Sequence, residues 1–108
     1  MTEREIQRAI FAEYRKRRMP KSMMWAVPNG PESRRVPGFC AGASDIMALV
    51  NGEFFALELK TEDGKPSVEQ LQFADNVNEC DGFGFIAYGF DSAMACLVAW
   101  GIIRKEAA

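Results

Sequence analysis

Histidine is absent from all 108 residues. That absence excludes Ser-His-Asp and Cys-His catalysis, histidine-ligated zinc and histidine-ligated haem. Any chemistry must come from carboxylates, amines, amides, hydroxyls or thiols. Cysteine is scarce. Cys40, Cys80 and Cys96 are odd in number and form no C-x-x-C pair, which argues against a disulfide framework or a zinc site. Scattered thiols suit a reducing cytoplasm, and all three are expected to fill small core spaces. No apolar run reaches the roughly 18 residues of a membrane span. The opening MTEREIQRAI is charged and amphipathic, unlike a signal peptide. Internal repeats and low-complexity tracts are also missing. What remains is an ordinary globular composition, 48% hydrophobic and 26% charged. It predicts a single domain over residues 1–108 with one modest core.

The net charge of −2 conceals a division. Residues 1–36 carry nine Lys/Arg against four Asp/Glu, and residues 37–108 carry four against eleven. The positive charge is concentrated in Arg15, Lys16, Arg17, Arg18 and Lys21, followed by Arg34 and Arg35. Such a patch either meets a phosphate backbone or decorates a solvated helix end, where cations favour the macrodipole. Both readings stand at this point.

The spacing predicts a helix over 3–18. Thr2 and Glu5 form a capping box, and Ile6, Ile10 and Tyr14 recur on one face. Glu3 projects with Ile10 on that apolar face, as does Gln7, whereas Glu5 points the other way. Met19-Pro20 ends the helix. Met23 to Val27 is a short strand, and Pro28-Asn29-Gly30-Pro31 is a turn. Residues 31–44 form a loop long for so small a domain, and long loops often carry function. Asp45 to Val50 and Phe54 to Lys60 are strands joined by Asn51-Gly52, the preferred two-residue hairpin turn. Ser67 caps a helix to Cys80, with Val68, Leu71, Phe73, Ala74 and Val77 expected on its buried side. Phe83 to Tyr88 is a fourth strand. Asp91 or Ser92 caps a last helix through Ala99. Trp25, Phe83, Phe85 and Tyr88 are expected in the core. The order αβββαβα implies an α/β (α+β) fold, a four-stranded mixed sheet flanked by helices.

The strand Phe54–Lys60 is apolar except at its end, where alternation puts Glu58 and Lys60 on one face. Isolated charges at the end of a buried strand are costly. A structural ion pair at the sheet margin is one explanation. The hairpin supplies another. With residue 50 opposite 53 across the turn, 45 falls opposite 58, so Asp45 and Glu58 face each other. Facing carboxylates repel unless a cation or proton lies between them. Oxygen ligands with few protein contacts suit Mg²⁺ or Mn²⁺. Lys60 beside the ion could stabilise charge on a phosphoryl transition state or hold the attacking water, which fits phosphodiester hydrolysis.

The ordered set Gly42-Ala43-Ser44-Asp45, Glu58-Leu59-Lys60 and Gln70 resembles the PD-(D/E)XK nuclease superfamily. More closely it is similar to the VRR-NUC branch. The helix carrying Glu3 and Gln7, the stretch Trp25, Pro28, Asn29, Gly30, and the Ser67-x-x-Gln70 helix start extend the likeness over residues 3–90. Ser44 stands where the family usually has proline. The resemblance implies a restriction-endonuclease-like core and Mg²⁺- or Mn²⁺-dependent endonuclease activity. It implies Asp45 and Glu58 as metal ligands, with the Leu59 carbonyl as a third. It further implies Lys60 as the catalytic lysine, Glu3 reaching the metal through water and Gln70 supporting the site. Stand-alone members, of phage and bacterial type, resemble Holliday junction resolvases and act as homodimers. On that basis the partners are duplex or branched DNA and a second copy, with no membrane, in the cytoplasm of a bacterial or phage-infected cell. Arg34, Arg35, Asn29 and Lys21 are the candidate DNA contacts. The competing expectations are a non-catalytic DNA-binding module on the same fold, and a scaffold whose charged hairpin end is a plain salt bridge.

Overall fold

The computed structural model describes residues 1–106. Helix α1 (Glu3–Arg17) opens on the expected capping box: the Thr2 hydroxyl accepts from the Glu5 N–H at 3.1 Å, and the Glu5 carboxylate accepts from the Thr2 N–H at 2.9 Å. Its buried residues are Ile6, Ile10 and Tyr14. There follow β1 (Ser22–Ala26), a short 3-10 helix (Pro31–Arg35), β2 (Ile46–Val50), β3 (Glu53–Lys60), α2 (Val68–Glu79), β4 (Phe83–Tyr88) and α3 (Phe90–Ala99). The order is the one the sequence implies; several bounds shift by one residue, leaving Asp45 just outside β2 rather than at its start, and two differences are larger. The segment expected to be all loop contains the 3-10 turn, with Pro31 at its start, where the missing N–H costs nothing. Helix α3 begins at Phe90 rather than after Asp91 or Ser92. Its N-cap is Gly89, at φ +91, and no side chain caps it.

The sheet order is β1-β2-β3-β4; the first three strands are antiparallel and β4 runs parallel to β3. Asn51 and Gly52 turn the β2–β3 hairpin with φ of +51 and +80, as a primed two-residue turn requires. The register runs from Val50↔Glu53 to Ile46↔Leu57. On one face Ile46, Ala48, Phe55, Leu57, Leu59 and Ala87 are buried with residues of α1 and α3. On the other face α2 lies against β4 and β3. Gly84 permits that approach, since a Cβ there would sit 2.6 Å from the Ala74 carbonyl oxygen.

Several expected core residues lie at the margins. Trp25, Phe83, Phe85 and Tyr88 are exposed, because β1 and β4 are the edge strands, each with a pairing strand on one side only. Phe83 still stacks on Phe55 at 4.9 Å between centroids, and Phe85 meets Trp100 edge-on at 6.4 Å. In α2 the buried positions are Ala74 and Val77, with Phe73 half-buried; Val68 and Leu71 are exposed. The sheet-facing stripe is 70-73-74-77, the helical i, i+3, i+4, i+7 set, and 68 and 71 fall outside it. Cys40 and Cys80 are exposed rather than packed, and Cys96 is half-buried, which pushes its thiol up to about 12. Among the described residues no helix is long and apolar enough to cross a membrane.

Among the described residues, Ser22, Ser44 and Glu58 are polar and buried. Ser22 is satisfied, lying 3.0 Å from the Tyr14 hydroxyl and donating to the Met19 carbonyl at 2.6 Å. Glu58 is not.

Candidate metal centre

The hairpin register extends one step past Ile46↔Leu57 and sets Asp45 beside Glu58. Asp45 lies just before β2, where the Val27 N–H donates to its carbonyl at 2.8 Å and prolongs the β1–β2 pairing. Its carboxylate is held from two sides. The Asn29 amide donates to Oδ1 at 3.0 Å and the Leu59 N–H to Oδ2 at 2.9 Å. Because β2 has ended, the Asp45 side chain takes the place of a strand partner for Leu59. The Leu59 carbonyl leaves β3 on the same edge as its N–H.

Glu58 is only 2% exposed. The Gln70 amide donates to its Oε2 at 3.1 Å and the Lys60 ammonium lies 3.9 Å from the same oxygen. Oε1 is buried and has no hydrogen-bond partner. Burial pushes the Glu58 carboxyl up to about 8, with the nearby Asp45 charge adding to the rise, Lys60 opposing it and Glu3 adding a little. Glu3, at the first turn of α1, completes a cluster in which one carboxylate oxygen each from Glu3, Asp45 and Glu58 lies within 4.8 Å of the others. Both α1 and α2 begin at this end of the sheet, and helix N-termini favour anions.

The cluster could hold a metal ion, and two features of the chain fit that use. The donor set is oxygen only, suited to a hard cation. The buried, unpartnered Glu58 oxygen is an uncompensated cost that a bound cation would remove. Asp45 and Glu58, with Glu3 nearby, are the residues that would hold it.

The remaining candidates separate by position. Gln70 does two things. Its Oε1 accepts from the Ser67 N–H at 2.8 Å, closing the α2 capping box, while its amide nitrogen reaches Glu58. Gln7 is half-buried on α1. Asn29, a candidate DNA contact, donates its side-chain amide to Asp45. Arg34 lines a groove beside the cluster, and Arg35 follows it, exposed. Lys21 precedes Ser22, which pairs with Val50 at the opposite end of β2 from Asp45. In the basic run, Arg17 pairs with Glu13 at 3.7 Å and donates to the Arg104 carbonyl at 3.1 Å. Arg18 donates to the Ser22 carbonyl and lies over the Tyr14 ring at 5.0 Å from its centroid. These two arginines hold the end of α1 in place. Sequence reasoning missed the groove. Its signal was Phe39, an aromatic residue amid the glycines and prolines of the 31–44 segment.

No protein-family model and no curated protein matches the sequence. Solved structures do match in shape. One, described as a "VRR_NUC domain protein", superposes with a TM-score of 0.78 at 14% identity, covering 93% of this chain and 88% of the other. A second, described as "VRR_NUC domain", gives a TM-score of 0.64 at 18% identity over 90% of this chain and 94% of the other. The αβββαβα chain with its mixed four-stranded sheet therefore has the VRR-NUC fold, a restriction-endonuclease-like architecture.

Proposed function

We propose that this chain, acting as one domain over residues 1–108, is a divalent-metal-dependent endonuclease that hydrolyses DNA phosphodiester bonds. The observation that carries the proposal is Glu58: a buried carboxylate with one unpartnered oxygen, faced by Asp45 and Glu3 and flanked by Lys60. The VRR-NUC fold supports the reading. Mg²⁺ or Mn²⁺ is the ion the oxygen donors favour, held by Asp45, Glu58 and the Leu59 carbonyl, with Glu3 acting through water. When bound, such an ion supplies Lewis-acid polarisation of a phosphoryl oxygen and of water.

The chain's own groups do the rest. Asn29 and Gln70 fix the orientation of the two carboxylates, so that little reorganisation is needed on substrate binding. Lys60 provides positive charge where the phosphoryl group gathers negative charge as water adds and one P–O ester bond breaks. Arg34 and Arg35 contact the DNA backbone, and Lys21 extends that contact at the far end of the sheet. A homodimer, with two sites related by a two-fold axis, would suit branched DNA of the Holliday junction kind. Three thiols without partners agree with a cytoplasmic setting in a bacterial or phage-infected cell.

The test is a cleavage panel of branched and linear DNAs with Mg²⁺ or Mn²⁺, using wild type, Glu58→Ala and Lys60→Ala. Wild type should cut, and each variant should lose on the order of 100-fold or more in kcat while keeping its circular dichroism spectrum. Salt-sensitive binding without cleavage by wild type would make the chain a DNA-binding module instead. Undiminished cleavage by Lys60→Ala would remove the lysine from the chemistry. Light scattering on the active species decides whether it is a dimer.

A further inference from the structure

A groove of about 800 Å³ lies between the segment after β1 and the start of α2, within the roughly 300–1,000 Å³ typical of small-ligand sites. Its apolar lining includes Phe39 from the segment, Phe73 from α2 and Met47 from β2. Phe39 is 40% exposed, a large aromatic face kept in solvent where burial would be favourable. Asn29 and Gln70 also line the groove. They are the amides that hold Asp45 and Glu58, so groove and carboxylate cluster share a wall. The charged residues along it are Arg34 and Glu69. The segment is seated closely on α2. Gly42 lies at φ +80, and a Cβ there would come within 2.2 Å of the Glu69 carbonyl oxygen.

Resting on the nuclease proposal above, we infer that this groove receives an unpaired nucleotide of the DNA strand next to the scissile phosphate. The occupant must offer a flat apolar surface to Phe39 and Phe73, anionic charge to Arg34, and a phosphate within reach of the carboxylate end. A nucleotide has all three. Stacking on aromatic side chains accepts any base, because every base has a π-face. Glu69 and the serine hydroxyls of Ser33 and Ser67, which also line the groove, are suited to amine and ring-nitrogen edges. A base inside an intact duplex is stacked and paired, and entering the groove would cost its extrusion. A base already unpaired enters without that cost. The groove thus makes the site select DNA with unpaired nucleotides beside the cut.

The test compares a duplex carrying a short bulge with the same duplex fully paired, in Mn²⁺, for wild type, Phe39→Ala and Phe39→Trp. Wild type should prefer the bulged DNA in kcat/KM. Phe39→Ala should lower that preference about 10-fold, and Phe39→Trp, which keeps a stacking surface, should retain it. A binding readout is available in Cys40, an exposed thiol lining the groove. In a Cys80→Ser background with Ca²⁺ in place of Mn²⁺, bulged DNA should slow maleimide labelling of Cys40 and paired DNA should not. Equal kcat/KM for the two DNAs, or a preference unchanged by Phe39→Ala, would overturn the inference and leave the nuclease proposal standing. No cleavage of either DNA by wild type would overturn both. A dimer that becomes monomeric on Phe39→Ala would assign the groove to a second copy of the chain and overturn the nucleotide assignment alone.

Discussion

Replacing Glu58 with glutamine is expected to flatten a pH dependence of stability that the wild-type chain shows when divalent ions are chelated. In the folded chain burial raises the Glu58 carboxyl from 4.5 to about 8. Between those values the folded state holds a proton that the unfolded state has lost, so stability falls as pH rises. The contribution is complete below about pH 4.5 and gone above about pH 8. The gap corresponds to about 5 kcal/mol, of which about 3 kcal/mol falls between roughly pH 5.5 and 8.5. Urea unfolding in EDTA at those two pH values should give a wild-type midpoint lower by about 2 M at the higher pH. Glu58→Gln, which mimics the protonated acid, should lose most of the difference, and subtracting its profile removes the background from other groups. Mn²⁺ in place of EDTA should reverse the trend, since a metal binds the deprotonated acids and stabilises the folded state more at high pH. A wild-type midpoint that stays level or rises with pH in EDTA, or an equal slope in Glu58→Gln, would show that burial does not keep the proton on Glu58.

Gln70→Ala should cost about 1–2 kcal/mol through the lost cap and also weaken the Mn²⁺-induced rise in melting temperature. Ser67→Ala should show a similar stability loss with a smaller effect on metal binding, and thermal melts with and without Mn²⁺ separate the two. Gly84→Ala should destabilise by about 1–3 kcal/mol, because its Cβ meets the Ala74 backbone and pushes α2 off the sheet; urea unfolding measures it. Leu57→Ala, at a position 1% exposed, should cost about 2–5 kcal/mol by the same assay.

Local signals made much of this fold legible. Thr2 with Glu5 and Ser67 with Gln70 announce two helix starts through capping boxes, and both form. Asn51-Gly52 fixes the hairpin, and with it the pairing that carries Asp45 to Glu58. Lateral position in the sheet was not legible. Trp25, Phe83 and Phe85 are as apolar as any core residue, yet which strands stand at the edges depends on the strand order, a property of the whole chain. Asn29 shows the same limit at the site. Pro28-Asn29-Gly30 has every mark of a turn, and nothing local connects its amide to a carboxylate 16 residues on. Arg17 and Arg18 looked free to meet phosphate until their partners, Arg104 and Ser22, came into view. The groove depends on three separated segments and has no periodicity to betray it.

The double duty of Gln70 restricts what that position tolerates. Glutamate is the usual partner of an N-terminal serine in a capping box, and a redesign aimed only at helix strength would choose it. It would keep the bond to the Ser67 N–H but replace the amide that donates to Glu58 with a fourth carboxyl group, set against an acid that already lacks one partner. Asparagine, one methylene shorter, would have to give up one of the two bonds. The side chain that starts the second helix is therefore also the one that sets how the buried acid is presented, and neither property can be tuned without moving the other.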